Sequence, residues 1–451
     1  MNVLSRLFGR TFRQGVRPPE YKETGSLPIR RLPFAPRMVV PLAQHFGKPS
    51  MPVVRKGQEV VRGEPLAVAD GFMSVPVHAP VTGVVEGIEL MPTARGPKAK
   101  AILLRTYEGA SQQVLYGAPR DVGAMSRDEV IAAVQETGLV GLGGAAFPTH
   151  VKLSVPPGHA VDTLIVNGCE CEPFLTTDHR VMLERPAEVM AGIRIALRAT
   201  GARKALIGVE DNKPDAVAAL RGQIGPGDPV QVVEVESKYP QGSEKLLIQV
   251  LLGREVPSGG LPYQVGVVVN NVGTLAQMGT LLPRGEGLIE RIVTVAGPGI
   301  AKPGNYLVPL GTPLRFLLDH VGYRGDASHI ILGGPMMGNT VSSLDVPVVK
   351  GASGVVVLPD EHASETHAAF VEPRIHPCIR CGACLKACPV NLNPAELGRL
   401  AARRMYDVME ERFHLNDCFE CGCCSYVCPS SIPLVQYFRI AKAVNRERRV
   451  A

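Results

Sequence analysis

The sequence predicts a multidomain protein of the α/β plus β class with a small helical unit at its C-terminal end. Three observations predict it. Residues 38–106 break into short β-type runs separated by Gly and Pro, with no sustained 3.6-residue period. Residues 161–274 alternate apolar strand patterns with helix patterns, which is how parallel strands with crossover helices read in a sequence. Residues 378–429 carry one cysteine run twice, CIRCGACLKACP and CFECGCCSYVCP. A chain of 451 residues has room for about three cores.

Residues 1–37 form a basic, Pro-rich arm (Pro18, Pro19, Pro28, Pro33, Pro36). The net charge of +6 sits at the ends: eight Lys/Arg face two Asp/Glu in residues 1–37, and twelve face seven in residues 374–451. Two readings of the arm stay open, a solvated irregular segment or one that docks onto an acidic partner or anionic lipid. Val3, Leu4, Leu7, Phe8 and Phe12 with Arg6, Arg10 and Arg13 fit a short basic amphipathic helix, which suits docking. No nucleic-acid-reading module accompanies the charge, so nucleic acid is not expected as a partner. The most apolar window, Val265 to Leu282, is broken by Asn270, Asn271, Thr274 and Gln277, so no membrane span is expected. Met1 to Gly15 shows no secretory h-region. Nine of the eleven cysteines fall in the C-terminal stretch, which excludes a secreted disulfide scaffold and points to a reducing compartment.

Within a β domain placed at 38–110, Val54-Arg-Lys-Gly57, Val60-Val-Arg-Gly63 and Val77-His-Ala-Pro80-Val-Thr-Gly83 resemble the hammerhead barrel-sandwich domains of lipoyl and biotinyl carriers. No Lys occurs between Gly57 and Pro97 to carry such a group, so the barrel is expected to be a scaffold or docking surface.

The α/β domain is placed at 120–285. Ser126-Arg-Asp-Glu129 is a capping box ahead of a helix that stops at Gly138. GLVGLGGAAFPTHVKL follows, in which Gly141, Gly143 and Gly144 admit close backbone approach and a helix entry would favour phosphate; a packing turn explains the glycines equally well. Val161–Asn167 is a buried-strand pattern running into Gly168-Cys-Glu170-Cys-Glu172-Pro, at the strand end where open α/β sheets bind ligands. Further strands are expected at Lys204–Val209, Val230–Glu236 and Val265–Val269, with helices at Lys213–Gly222 and after Tyr239-Pro-Gln-Gly242-Ser-Glu244. The last strand ends in Asn270-Asn-Val-Gly273-Thr274. Residues 286–350 form a further β-rich module, with strands near Arg291–Ala296 and Ile330 and a helix near Leu314–Val321. Residues 351–373 are a linker, and His362, His367 and His376 beside it read as surface histidines.

Residues 374–451 hold the doubled motif. Cys378, Cys381, Cys384 and Cys388-Pro389 recur as Cys418, Cys421, Cys424 and Cys428-Pro429. Each copy is the C-x2-C-x2-C-x3-C-P run in which three thiolates hold one cubic cluster and the fourth ligates the other. One 4Fe-4S cluster is thus assigned to Cys378, Cys381, Cys384 and Cys428, the second to Cys418, Cys421, Cys424 and Cys388. Disulfides, zinc or purely structural cysteines are the rival readings, and the identical spacing with a closing Pro weighs against them. Cys423 fits a small buried residue beside a cluster. Asn393-Pro-Ala-Glu396 caps a helix expected to run through Arg412.

GLGGAAFPTHVK, NGCECEP, YPQGSEKLL and NNVGT, in that order, resemble the flavin and NADH signatures of the Rossmann-like NADH-binding flavoprotein subunit of respiratory complex I. The resemblance implies that Gly141, Gly143, Gly144, Lys152, Asn167, Asn270 and Thr274 hold FMN, and that Glu172 and Glu244 meet the nicotinamide or ribose of NADH. Two arginines usual around the first glycine are Val140 and Leu142 here, and the first acidic position after Asn167 is Cys169. Residues 288–341 resemble the β-grasp module of the same subunit. The order of barrel, flavin domain, β-grasp module and two-cluster ferredoxin-type domain resembles the C subunits of Rnf ion-translocating oxidoreductase complexes. That likeness implies a peripheral subunit on the cytoplasmic side of the cell inner membrane. There it would exchange electrons between NADH and the membrane-embedded and ferredoxin-like subunits of the complex. A soluble corrinoid-type flavin/iron–sulfur reductase, or a cluster-only wiring subunit that has lost its flavin, are the alternatives.

Overall fold

The protein is represented by a computed structural model that describes residues 10–94, 96–325, 327–359 and 375–450. Val3 to Phe8 of the expected amphipathic helix lie outside the described residues, as do His362 and His367; His376 is exposed.

Alternation along Arg37–Pro41 and Ala99–Thr106 puts Met38, Val40, Ile102 and Leu104 on one face, buried together with Leu66, Val77, Val81 and Val85. These side chains are the core of the barrel. A four-stranded sheet in the order Arg37–Pro41, Ala99–Thr106, Gly83–Met91, Glu59–Val60 packs with a three-stranded sheet of Met51–Pro52, Pro65–Val68 and Val77–His78. Arg62 reaches out of the barrel, donating to Pro80 O (3.0 Å) and Gln112 O (2.8 Å) and pairing with Glu290 (2.6 Å), which ties the barrel to the β-rich module.

The alternating segment forms a four-stranded, wholly parallel sheet in the order Val230–Val235, Lys204–Glu210, Thr163–Gly168, Val267–Asn271. Because all strands point one way, Asn167, Glu210 and Asn270–Asn271 end along one edge. The apolar window Val265–Leu282 resolves into the last of these strands and the helix Val272–Arg284. That helix crosses Pro186–Thr200 at glycines: a Cβ on Gly192 would overlap the Leu275 carbonyl, and one on Gly279 the Glu188 carbonyl. Ser126 and Glu129 close the expected capping box on the helix Arg127–Glu136.

In the β-rich module, six strands pair in the order Arg30–Arg31, Gly304–Pro309, Glu290–Ala296, Gly354–Pro359, Ala327–Leu332, Asn339–Thr340. Gly354–Pro359 therefore lies inside the sheet, where a linker was expected. The reason is its continuous apolar run: Val355, Val356 and Val357 are buried on both faces. Arg30–Arg31 enters from the N-terminal arm.

In the described part of that arm, Phe12, Val16 and Thr24 are buried while Arg13, Arg17, Arg30 and Arg31 stay exposed. Val16 bridges Tyr239, Glu236 N–H donates to Arg10 O (3.1 Å), and Gly15 N–H donates to Ala387 O (3.2 Å). Residues 10–26 thus strap the edge of the parallel-sheet domain and touch the cysteine domain.

The cysteine domain packs Pro394–Ala402, Tyr406–Glu411 and Leu434–Val450 around Leu397, Met409, Leu434 and Phe438. The Asn393 cap is present, but the helix expected to continue to Arg412 breaks at Arg404, whose φ is +56°. Breaking there lets both pieces bury an apolar residue against the last helix.

Candidate flavin, nucleotide and cluster sites

The glycine loop folds back on itself at the sheet edge. Gly141 N–H donates to Phe147 O (2.7 Å) and Ala146 N–H to Gly141 O (3.1 Å), while Gly144, at φ +103°, has open space where a side chain would stand. Leu142 N–H donates to the Thr274 hydroxyl (2.9 Å), and Thr274 N–H to Asn271 Oδ1 (3.1 Å), so Thr274 anchors the loop to the helix Val272–Arg284. Lys152, on the short helix Thr149–Leu153, pairs with Glu244 and donates to Val269 O (3.1 Å). Asn167 Nδ2 donates to Gly242 O (2.8 Å), and its Oδ1 accepts from Cys169 N–H (3.0 Å). The four motifs therefore meet at one edge, with Lys152 and Glu244 in direct contact across 92 residues.

Val140 and Leu142 are buried in the core, where no phosphate reaches them. A guanidinium comes to the loop from elsewhere: Arg291, on the first strand of the next module, donates to Leu142 O (2.8 Å). Burial lowers its pKa to about 10, with Asp178 opposing that fall. No local pattern in the sequence marks Arg291 for this place.

A buried polar network supports the edge. Glu170 accepts from the Thr177 hydroxyl (2.9 Å), Asp178 N–H (3.0 Å) and His179 N–H (3.1 Å), capping the helix Thr177–Glu184. Its own N–H donates to Glu210 (2.9 Å), which pairs with Lys213 (2.5 Å). Burial alone would lower the Lys213 pKa, but the Glu210 charge and hydrogen bond outweigh it and hold it up. Asp178 is pushed up to about 7 by burial and by Glu170, while it accepts from Asn271 Nδ2 (2.6 Å). Lys22 of the strap donates to the carbonyls of Glu170 (2.7 Å), Glu172 (2.7 Å) and Leu175 (2.5 Å).

Amides within two of the motifs have no partner in the protein: Asn270 Nδ2, and both polar atoms of Gln241, which is fully buried. A buried unsatisfied donor costs about 1–3 kcal/mol, so such groups are found where a ligand completes them. With the open space at Gly144 and the Lys152–Glu244 pair, the edge fits a flat polar group such as a flavin.

Glu172 faces elsewhere. Its two carboxylate oxygens accept from Met336 N–H (3.0 Å) and Met337 N–H (2.8 Å) of the β-rich module, and burial raises its pKa to about 7 against those bonds.

Cys388 lines one cavity with Cys418, Cys421 and Cys424, walled by Pro389, Leu392, Leu397, Val435 and Phe438. Cys384 lies within electrostatic reach of Cys428 and Cys381, and Cys378 and Cys381 are exposed. Among the described residues, no three His, Cys, Asp or Glu side chains close on a point as ligands of a single ion would. Burial raises Cys418 to about 11 and also raises Cys388, Cys424 and Cys384, whereas the hydrogen bond with Cys423 lowers Cys421. Cys423 is wholly buried and packs with Cys171, Tyr239 and Met336 against Cys421. Tyr239 donates its hydroxyl to Cys421 O (2.6 Å), so the flavin edge and the second cysteine set share one core.

The chain is 43% identical over 441 residues to the C subunit of the proton-translocating ferredoxin:NAD(+) oxidoreductase complex of Clostridium ljungdahlii, covering 97% of this chain and 94% of that one. It is 40% identical over 407 residues to the Na(+)-translocating counterpart of Acetobacterium woodii, covering 89% of each. The chain belongs to the Rnf C-subunit family.

This member of the Rnf family also matches the C subunit of the ion-translocating oxidoreductase complex of Citrobacter koseri at 41% identity, spanning 60% of that longer chain. Four family profiles match in order: the RnfC barrel sandwich hybrid domain at 10–108, the Nuo51 FMN-binding domain at 134–280, an SLBB domain at 292–340 and a 4Fe-4S dicluster domain at 374–443. The NAD(+)-reducing NiFe-hydrogenase shares the fold at 22% identity, with a TM-score of 0.51 over 65% of this chain and 55% of that one. Among the described residues of this Rnf family member, no helix is long and apolar enough to cross a membrane.

Proposed function

We propose that this Rnf family member exchanges electrons between NADH and other subunits of an ion-translocating complex, as a peripheral subunit on the cytoplasmic face of the inner membrane. Its partners are membrane-embedded and ferredoxin-like subunits of that complex. The observation that carries this reading is the shared core of Cys171, Tyr239, Cys421 and Cys423, which sets the edge of the flavin domain against the cysteine ring 388/418/421/424.

Gly141, Gly143, Gly144, Lys152, Asn167 and Asn270 would hold FMN, with Thr274 and Arg291 fixing the glycine loop. Glu244, which pairs with Lys152, would meet NADH. A bound flavin supplies the exchange between a two-electron hydride and one-electron clusters. In that exchange NADH would be oxidised to NAD+ and a proton, giving one electron to each of two clusters held by the cysteine sets. The crossed thiol sets, 378/381/384/428 and 418/421/424/388, would hold those clusters.

Anaerobic addition of NADH to the purified protein should bleach a stoichiometric flavin and produce cluster EPR signals; absence of both sinks the reading. Cys388→Ser should damage the cluster of the other repeat, and two unaltered EPR signals would refute the crossing. The burial of Val140 and Leu142 favours a second reading, an electron-wiring subunit without flavin. Cluster signals from dithionite with no FMN in the protein would select it.

A further inference from the structure

Glu172 stands where three domains meet. It ends the turn that follows the strand Thr163–Gly168, yet its carboxylate is spent on the turn Gly334–Gly338 of the β-rich module, through Met336 N–H (3.0 Å) and Met337 N–H (2.8 Å). Gly334 is glycine for this reason, since a Cβ there would overlap the Glu172 carboxylate. The far side of the same turn rests on the cysteine domain. A Cβ on Gly422 would come within 2.8 Å of Met336 O, and Arg439 donates to Met337 O (3.1 Å). Arg439 also donates to Glu420 (3.1 Å), and Glu420 accepts from Lys442 (3.0 Å), which in turn donates to the carbonyl of Cys418. Met336 completes the apolar cluster of Tyr239, Cys171, Cys421 and Cys423.

A carboxylate whose two oxygens each hold a backbone N–H is poorly placed to bind a dinucleotide, because a ligand hydroxyl would first have to displace those bonds. What the bonds do is fix the five-residue turn Gly334–Gly338 between two domains.

We propose that Glu172 is a positioning residue: it clamps the turn Gly334–Gly338 between the flavin-domain edge and the loop Glu420–Cys424, and so fixes how closely the 388/418/421/424 ring approaches the NADH-reactive site. This rests on the proposed flow of electrons from NADH to the clusters. Electron transfer falls steeply with separation, so loosening the clamp should slow the passage to the clusters rather than weaken NADH binding.

The test uses the full chain with its clusters and flavin, and strikes the clamp from both sides with Glu172→Gln and Gly334→Ala. Hydrogen exchange without NADH should show faster exchange at Met336 and Met337 in both variants, with the rest of the cysteine domain as protected as before. After anaerobic mixing with NADH, growth of the reduced-cluster EPR signal should slow severalfold relative to flavin bleaching. NADH half-saturation should not rise to match. A rise in half-saturation confined to Glu172→Gln, with cluster reduction keeping pace with flavin bleaching, would overturn the proposal and return Glu172 to the dinucleotide. Unchanged exchange at 336–337 would overturn it as well. Should the unmodified protein not react with NADH, the proposed function fails, and the exchange result alone decides the clamp.

Discussion

Asn270 holds a buried amide nitrogen that nothing in the protein satisfies, and the cost of that burial bears on both stability and binding. Replacing it by Leu keeps the size and removes an unpaired donor worth about 1–3 kcal/mol of penalty. Flavin-free Asn270→Leu should therefore unfold at the same temperature as the unmodified protein or higher, while FMN retained per chain, read by fluorescence after release, should fall. Lys350 presents the opposite case, a buried charge with partners. Its ammonium donates to Pro76 O and Gly138 O, both at 2.7 Å, at the junction of barrel, flavin domain and β-rich module. Burial pulls its pKa down from 10.5 to about 7. His78 and His45 beside it are pushed down to about 3 and about 4, by burial first and by Lys350 second, so they stay neutral over that range. Between pH 7 and 10.5 the folded lysine has released a proton that the unfolded chain still binds, so stability rises with pH by up to about 1.4 kcal/mol per unit. Lys350→Met should flatten that rise in denaturant titrations from pH 7 to 10, whatever it does to absolute stability.

At the scale of elements, the crossing of Pro186–Thr200 with Val272–Arg284 depends on two glycines that face backbone rather than side chains. Backbone cannot swing away, so Gly279→Ala should overpack the crossing and cost about 1–3 kcal/mol, seen as a lower midpoint in urea with an unchanged m-value. Neither glycine stands out in the sequence, because the partner carbonyls of Glu188 and Leu275 are distant along the chain. What was legible was local. The Ser126–Glu129 box and the Asn393 cap each close within four residues, and the four parallel strands announce themselves as apolar runs ending in polar ones. The break at Arg404 follows from where Leu434 and Phe438 wait to be covered. The strand Gly354–Pro359 was disguised as linker because its apolar run is only four residues long and its neighbours come from 290–296 and 327–332. In the site, shared motif order implied that Lys152 and Glu244 belong together, whereas Arg291 could not be read at all. It occupies the loop from a different module, at positions where the motif itself had become Val140 and Leu142.

At the scale of the whole molecule, three arginines of the basic N-terminal arm pair with the protein's own acids. Arg17 pairs with Glu236, Arg31 with Glu290, and Arg37 with Glu86 at 2.7 Å, while Arg30 lies over the Tyr306 ring at 4.7 Å. The arm is thus a strap that binds the domains together, and Lys22 anchors it to the loop after the strand Thr163–Gly168. Its ammonium is held by three carbonyls of the loop 170–175, and burial lowers its pKa despite the nearby Glu170 and Glu210. That loop carries Cys171 and Glu172, so the strap governs the same junction through which the flavin edge meets the cysteine ring. Lys22→Met keeps the apolar stem but leaves three carbonyls without their donor, a loss of about 1–3 kcal/mol. The strap should then peel back as far as Gly15, releasing its contact with Ala387 and exposing the chain between residues 10 and 26 to protease. Limited proteolysis of the complete protein should cut Lys22→Met in that stretch at concentrations that leave the unmodified chain intact. Equal resistance in the two proteins would mean that Val16, Tyr239 and the arginine pairs hold the strap without Lys22.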